Sequence, residues 1–138
     1  MSPNRRSIRP LTRRLAVLTA VCLTAALGCT QGPSRSASMA ATRQFLAFAA
    51  KGDSAGLATI AHDTMVSFVL RNRRLGMAQE FQAASQAIRR AKFKRYGPES
   101  EVIFRYVVRG TESNGYVSLR QQGERLEVFD YGLGVKFD

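Results

Sequence analysis

The chain has 138 residues, a formal net charge of +11 and 45% hydrophobic residues. Its length is that of a single domain able to bury a core, and it contains no internal repeat. One histidine and two cysteines exclude the repeated cysteine and histidine patterns of structural zinc sites.

The first element is an apolar run from Leu15 to Gly28, which follows five arginines and no acidic residue. As a helix it would be about 21 Å long, at roughly 1.5 Å per residue. The hydrocarbon core of a bilayer is about 30 Å thick, so the run is too short to span it. A basic flank, a short apolar stretch and a small residue at its end are typical of a secretory signal peptide.

The end of this run, Ala25 to Cys29, has the sequence Ala-Ala-Leu-Gly-Cys and resembles the lipobox of bacterial lipoproteins. Ala26 departs from the Leu that is more usual there. Cys22 does not fit the pattern, because Val21 precedes it where a small residue is required. The resemblance implies that Cys29 receives a diacylglycerol thioether and that the peptide before it is removed. An ordinary signal peptide cut nearby is the alternative.

The predicted organisation is a signal peptide over residues 1–28, a lipidated tether over 29–37 and a single domain over 38–138. The protein would be held at the membrane through its N-terminal lipid, since two or three acyl chains anchor a protein firmly. With one cysteine removed and Cys29 acylated, no thiol remains for a disulfide, a zinc site or a nucleophile. By resemblance to bacterial sorting rules, the threonine after Cys29 favours the periplasmic face of the outer membrane in a cell that has one.

Two short helices are predicted at the start of the domain. Ser38 is the expected N-cap of the first, residues 39–51, in which apolar residues recur near helical spacing. Gly52 is expected to end this helix, and Asp53 to cap the second, residues 54–63.

A longer helix is predicted over residues 75–91, with Gly97-Pro98 ending that segment. Its apolar residues recur at steps of four, three and four along one stripe: Met77, Phe81, Ala84 and Ile88. Residues 64–70, which precede it, are β-branched and apolar, so both a strand and a buried helix remain open there.

The remainder is predicted to be an antiparallel sheet. Residues 101–110 alternate as a strand does, and one face carries the apolar set Val102, Phe104, Tyr106 and Val108. The next turn is expected at Asn114-Gly115, a pair suited to positive φ.

Two more strands are expected, over residues 116–121 and from Arg125 onward, joined by a turn at Gln122-Gly123-Glu124. Gly132 and Gly134 interrupt the last strand and predict a bulge or bend. Helices first and a meander afterwards make an α+β plan, with the N-terminal helices packed on one face of the antiparallel sheet.

This order of helices followed by strands resembles that of a known superfamily. Near the start of the domain the matching residues are Ala41, Phe45, Ala49, Gly52 and Asp53. Together with the terminal strand, they resemble the nuclear transport factor two-like superfamily of cystatin-like α+β rolls, although Leu126 stands where that family usually has a Trp. The resemblance implies a curved sheet wrapped by helices around a cone-like pocket. It implies no reaction, because the fold carries enzymes, binding modules and dimerisation domains alike, and a homodimer stays open.

Few side chains in the sequence are candidates for catalysis or ligand binding. His62 and Asp63 are candidates for a general base and its orienting partner, as in enzymes of the resembled fold, with Tyr106 as a third candidate. The interpretation we favour is structural, because a histidine side chain near the last carbonyls of a helix can donate a hydrogen bond to them. In addition, two adjacent residues of a helix do not point into one cavity. Three strand tyrosines are candidates for lining a pocket: Tyr106, Tyr116 and Tyr131. No metal site and no cofactor are expected.

Basic residues form two clusters in the sequence. The first contains Arg71, Arg73 and Arg74, and the second contains Arg89, Arg90, Lys92, Lys94 and Arg95. One interpretation is a basic patch for an anionic polymer of the cell envelope or a protein partner. The other, which we favour at this point, is a solvated helix end, where Arg and Lys complement the helix dipole. No nucleic-acid partner is expected outside the cytoplasm.

Two functional hypotheses follow. The first, favoured by the anchor and the lack of a catalytic set, is a non-enzymatic, lipid-anchored domain that binds a ligand or partner in the cell envelope. The alternative is a small hydratase- or isomerase-like enzyme of the same fold that uses His62, Asp63 and a pocket tyrosine. The orientation of His62 relative to the concave side of the sheet distinguishes them.

The anchor generates the first prediction. Replacing the lipid-accepting thiol, in Cys29→Ala, should abolish labelling of the protein by a fatty-acid analogue and leave uncleaved or mislocalised precursor. Cys22→Ala is the matched control and should be labelled like the wild type. Continued labelling and cleavage of Cys29→Ala would show that another residue carries the lipid.

Overall fold

Helices form the first part of the computed structural model, which describes residues 32–136. In chain order they are α1 (Arg35–Lys51), α2 (Ser54–Ile60), α3 (Asp63–Asn72) and α4 (Ala78–Ala87). A π-helical segment, Arg73–Met77, joins α3 to α4, and a 3-10 turn, Ile88–Arg90, follows α4. Within the described residues, no helix is both long and apolar enough to cross a bilayer.

The start of α1 differs from the prediction. The N-cap is Ser34, whose side chain accepts a hydrogen bond from the backbone N–H of Ala37 at 3.1 Å, so the prediction of Ser38 was wrong. Ser38 lies inside the helix, fully buried, with its Oγ 2.8 Å from Oγ of Ser100 on the sheet. Three residues expected in the tether, Arg35 to Ala37, are therefore helical.

The junction between α1 and α2 confirms the prediction. Gly52 ends α1 in the left-handed conformation, and its N–H donates to the carbonyl of Ala49 at 3.2 Å. Asp53 caps α2 by accepting a hydrogen bond from the N–H of Gly56 at 3.0 Å. The chain therefore reverses here with its helix ends satisfied.

Two further predictions concern the segment 64–70 and the helix expected over residues 75–91. Residues 64–70 belong to α3 and are helical. The predicted helix 75–91 is shorter at both ends, since Gly76 adopts a φ of 106° that L side chains rarely tolerate and α4 begins only at Ala78. Its expected last turn was wrong, because the α-helix ends at Ala87 and the chain continues as the 3-10 turn Ile88–Arg90, with Ala91 already extended.

Within residues 32–136, the sheet has four antiparallel strands in the order β1-β2-β3-β4. They are β1 (Lys92–Tyr96), β2 (Glu99–Val108), β3 (Thr111–Gln122) and β4 (Arg125–Val135). Each strand pairs with the next in the chain. The predicted α+β class, with helices packed on an antiparallel sheet, is confirmed.

The turn between β2 and β3 lies earlier than expected. Val108 pairs with Thr111, and the two residues between them, Arg109 and Gly110, have φ values of 52° and 74°. Positive φ at both positions is what a two-residue type I′ hairpin requires. The expected turn at Asn114-Gly115 was wrong: Gly115 lies within β3, where a Cβ would come within 2.6 Å of the Phe104 ring.

The predicted irregularity in the last strand is confirmed. The pairing of β3 with β4 shifts twice, so that Phe129 and Gly134 each form an extra residue on β4. Gly132, by contrast, stays paired with Tyr116. Bulges of this kind increase the local twist of a sheet and bend the strand that carries them.

The core fills the space between the helices and one face of the sheet. On β2, Val102, Phe104 and Tyr106 are almost fully buried, which confirms the predicted apolar face. The helices contribute the fully buried Phe45 of α1 and Phe81 of α4. The opposite face of the sheet carries the alternate residues and lies away from this core.

Phe81 generates the second prediction. Because its side chain is fully buried, Phe81→Ala should lower the free energy of unfolding by about 3–5 kcal/mol. Phe68 is the matched control, since it contacts the same Tyr131 ring at 5.7 Å but is 49% exposed. Phe68→Ala should cost clearly less in the same denaturant titration. Equal losses in the two variants would contradict the placement of Phe81.

Candidate functional site

An open groove of about 1130 Å³ lies beside β2. Helix α4 and the 3-10 turn form one wall with Gln86, Ala87 and Arg90. The strands supply the rest of the lining: Lys92, Lys94, Ile103, Phe104, Arg105, Tyr106, Val107, Glu112 and Asn114.

The position of the groove follows from unequal strand lengths. β1 starts at Lys92, which pairs with Ile103, so β2 continues beyond it from Phe104 to Val108. The groove lies beside this extension. Lys92, Ile103, Arg105 and their cross-strand neighbours share the face of the sheet that the helices leave uncovered, because side chains alternate along a strand.

The groove is electropositive. Its lining includes four cationic side chains, Arg90, Lys92, Lys94 and Arg105, against one carboxylate, Glu112. Glu112 already accepts a hydrogen bond from Nη1 of Arg105 at 3.2 Å, and both side chains are more than half exposed. Three cations of the lining therefore have no carboxylate within 4.0 Å among the described residues. Such a surface attracts anions and does so more strongly at low salt.

The two basic clusters of the sequence do not form one surface. Arg71 and Arg74 are exposed near the start of α4, whereas Arg90 follows its end. The ten residues of α4 separate them by about 15 Å, at roughly 1.5 Å per residue. Arg73 has a structural role: its Nε and Nη2 donate to the carbonyl of Ala50, at 3.2 and 2.9 Å, near the end of α1.

The second cluster is divided between the two faces of β1. Lys92 and Lys94 lie on the open face and line the groove, whereas Arg95 alternates to the other side. Arg95 donates from Nε to the carbonyl of Pro33 at 3.2 Å and stacks on the Phe93 ring at 5.8 Å. Arg89 belongs to the 3-10 turn, and its side chain lies outside what the structure describes.

The three candidate tyrosines do not line one pocket. Tyr131 is buried in the core, where its hydroxyl accepts a hydrogen bond from Nδ2 of Asn72 at 2.7 Å. Tyr116 is on the opposite face, with its hydroxyl donating to Oδ2 of Asp130 at 3.0 Å. Burial is the first cause that raises the pKa of each phenol above its ordinary value.

Tyr106 borders the groove but points its apolar body into the core, with only 2% of its surface exposed. Its hydroxyl is buried near Gly134 and Ser113 without a well-formed hydrogen bond to any described residue. Burial, followed by the negative charge of Glu80, raises the pKa of this phenol. A raised pKa disfavours the deprotonated form that a general base requires.

His62 is at the edge of the sheet rather than in the groove. It precedes α3 as the N-cap residue, without a side-chain capping hydrogen bond, and its side chain is 67% exposed. Its Nε2 lies 2.6 Å from Oε1 of Glu127, a side chain only 5% exposed on β4. Asp63 is exposed in the first turn of α3. His62 thus pairs with a distant carboxylate, Glu127, instead of its neighbour.

Sequence reasoning missed three charged residues of these sites, Arg105, Glu112 and Glu127, besides uncharged residues of the groove lining. The alternation of residues 101–110 did place Arg105 on the face opposite the core, which was the available signal for a groove residue. Glu127 carried no comparable signal, because its partner is far away in the chain. Within residues 32–136, no three His, Cys, Asp or Glu side chains come together as metal ligands would. Cys29 lies outside the described residues.

Comparison of the chain with protein-family models, with curated proteins and with solved structures gives no match.

The His62–Glu127 contact generates the third prediction. Removing His62 leaves a largely buried carboxylate without its partner, so a double-mutant cycle of His62→Ala with Glu127→Gln should give a coupling energy of about 1–2 kcal/mol. The matched cycle of His62→Ala with Asp63→Asn should give a smaller coupling energy, because no ion pair within 4.0 Å joins these two side chains. Thermal or denaturant unfolding measures both. Stronger coupling to Asp63 would restore the adjacent pair as the functional unit.

Proposed function

We propose that this protein is a lipid-anchored, non-enzymatic binding domain of the cell envelope that holds an anionic partner in its basic groove. The observation that carries the proposal is the concentration of cationic side chains along one groove, with a single carboxylate that is already paired. A solvated helix end would not account for this arrangement, since Lys92 and Lys94 extend from a strand and Arg105 comes from the next one.

The anchor and the location are part of the same proposal. The lipobox-like sequence ending at Cys29 supports acylation there and removal of residues 1–28. The first helix begins at Arg35, six residues after Cys29, so acylation of Cys29 would tether the domain to the membrane through a short segment. In a cell with two membranes, this is the periplasmic face of the outer membrane.

We further propose that the sheet is a curved roll of the nuclear transport factor two-like type. The order of helices followed by an antiparallel meander supports this, as do the two bulges on β4, which bend a strand. The space between helices and sheet is occupied by core side chains such as Phe45, Phe81 and Phe104. The groove on the other side of β2 therefore takes the role that the resemblance assigned to an internal pocket.

The enzymatic alternative gains no support from the geometry. His62 is largely exposed, borders no described groove residue and is engaged by Glu127. Tyr106, the third candidate, has a hydroxyl buried away from solvent. A general base needs an accessible position in a substrate site, and among the described residues His62 is not part of the groove lining while the Tyr106 hydroxyl is buried.

Binding of a soluble polyanion tests the proposal. The mature protein, residues 29–138, in neutral detergent micelles should bind polygalacturonate and polyglutamate at 0.1 M salt and release them toward 1 M, because the Debye length falls from about 10 to about 3 Å. The double variant Lys92→Gln/Lys94→Gln should bind about tenfold more weakly, since each exposed ion pair contributes up to about 1 kcal/mol and about 1.4 kcal/mol is tenfold.

The control variant removes two positive charges from a surface outside the groove. Arg71→Gln/Arg74→Gln neutralises two exposed arginines at the other end of α4 and should leave affinity within about twofold of wild type. Melting temperatures should be unchanged in both variants, because all four side chains are exposed. Equal weakening in both variants would reduce the interaction to net charge, and no binding to either polymer would refute the proposed function.

A further inference from the structure

The edges of the sheet differ in how well they are protected against pairing with a strand of another chain. β1 is an outer strand of only five residues, four of which are Lys, Arg or Tyr with exposed side chains. β4 carries two bulges, and its edge is approached by Ala61, which forms a bridge with Val128. Short strands, charges, bulges and covering segments are the devices by which sheets avoid pairing with other chains.

The extension of β2 beyond β1 has fewer of these devices: Arg105 is its one charged residue, and α4 with the 3-10 turn lies beside it. Residues 104–108, Phe-Arg-Tyr-Val-Val, contain no proline and no bulge, and they pair with β3 on one side only. On the other side they have no strand partner among the described residues, so alternate N–H and C=O groups point into the groove. Val107 is 62% exposed on this extension. Five residues give an edge of about 17 Å, at roughly 3.3 Å per residue.

We propose that the groove binds an extended acidic segment of another polypeptide, which adds to the sheet as a strand alongside residues 104–108. This rests on the proposed function and names its partner class. An added strand would lie about 4.8 Å from β2, in line with β1 and beside the wall formed by α4. Backbone hydrogen bonds would provide affinity, and the side chains on alternate positions would provide selectivity.

The groove defines the sequence that such a strand needs. On the open face, a residue opposite Arg105 is expected to be acidic and a residue opposite Val107 apolar. Running antiparallel to β2, the strand would end next to Lys92 and Arg90, where a second acidic residue fits. Its other side chains would meet Ala87 and Gln86, which leaves room for small residues.

A second copy of this chain is a poorer occupant. Two β2 extensions paired antiparallel about a twofold axis would bring the Arg105 side chains, and the lysines beside them, toward one another. Like charges directly opposite across a strand pair are destabilising. Charge complementarity therefore favours an acidic partner over self-association.

The test uses the mature protein, residues 29–138, in neutral detergent micelles, with a seven-residue peptide that places valine opposite Val107, glutamate opposite Arg105 and beside Lys92, and serine elsewhere. The peptide should bind and should slow hydrogen exchange at alternate amides of residues 104–108, as followed by NMR. A peptide with identical side chains but methylated nitrogens along one edge should bind at least about tenfold more weakly. In the variant Arg105→Glu/Lys92→Glu, affinity should be lost for this peptide and restored for its lysine counterpart.

The possible outcomes separate strand addition from polyanion binding. If both peptides bind equally, or if the amides of residues 104–108 stay unprotected, strand addition is refuted while polyanion binding can still support the proposed function. If neither peptides nor polyanions bind, the proposed function fails as well. Protection of the same amides without peptide, rising with protein concentration, would make a second copy the occupant and overturn the proposal.

Discussion

The ring of Tyr131 is the contact on which the arrangement of helices depends. It lies on β4 and touches one aromatic ring from each of three helices: Phe45 of α1 at 5.4 Å, and Phe68 of α3 and Phe81 of α4 at 5.7 Å. Tilted aromatic pairs at such distances contribute about 0.5–1.5 kcal/mol each beyond the burial of their area. Its hydroxyl also accepts a hydrogen bond from Asn72, which satisfies a polar atom that burial would otherwise penalise. One side chain thus orients α1, α3 and α4 against the same face of the sheet.

Because the helices pack on one face, the other face carries mostly polar and charged residues, with Ile103 and Val107 among them. The short β1 covers only the first half of β2, and α4 runs beside the uncovered half. This combination creates a groove with a backbone edge at its floor and cations along its rim. Lys92 and Arg105 reach the same groove from different strands because Lys92 pairs with Ile103, two residues before Arg105 on the same face. The proposed binding function is therefore a consequence of unequal strand lengths as much as of composition.

Local patterns predicted a large part of this fold. The cap at Asp53, the end of α1 at Gly52 and the apolar face of β2 were correct because each depends on residues within one or two turns of the chain. Strand β1 was missed because its Lys and Arg residues look like the end of a helix. What makes it a strand is its pairing with β2, and in particular Phe93 opposite Val102 on the core side. The cap at Ser38 was wrong for a related reason, since that hydroxyl is satisfied by Ser100, a residue 62 positions away.

The sequence by itself determined the α+β class, the first helical hairpin, the alternation of the sheet and the basic character of the segment from Arg89 to Arg95. These follow from periodicity, capping and charge, which act over a few residues. The tertiary structure alone decided that Arg73 and Arg95 hold backbone carbonyls while Lys92, Lys94 and Arg105 share a groove. It also decided that His62 pairs with Glu127 rather than with Asp63. The physical reason is that strand register and helix packing set which distant side chains meet, and neither is encoded in local spacing.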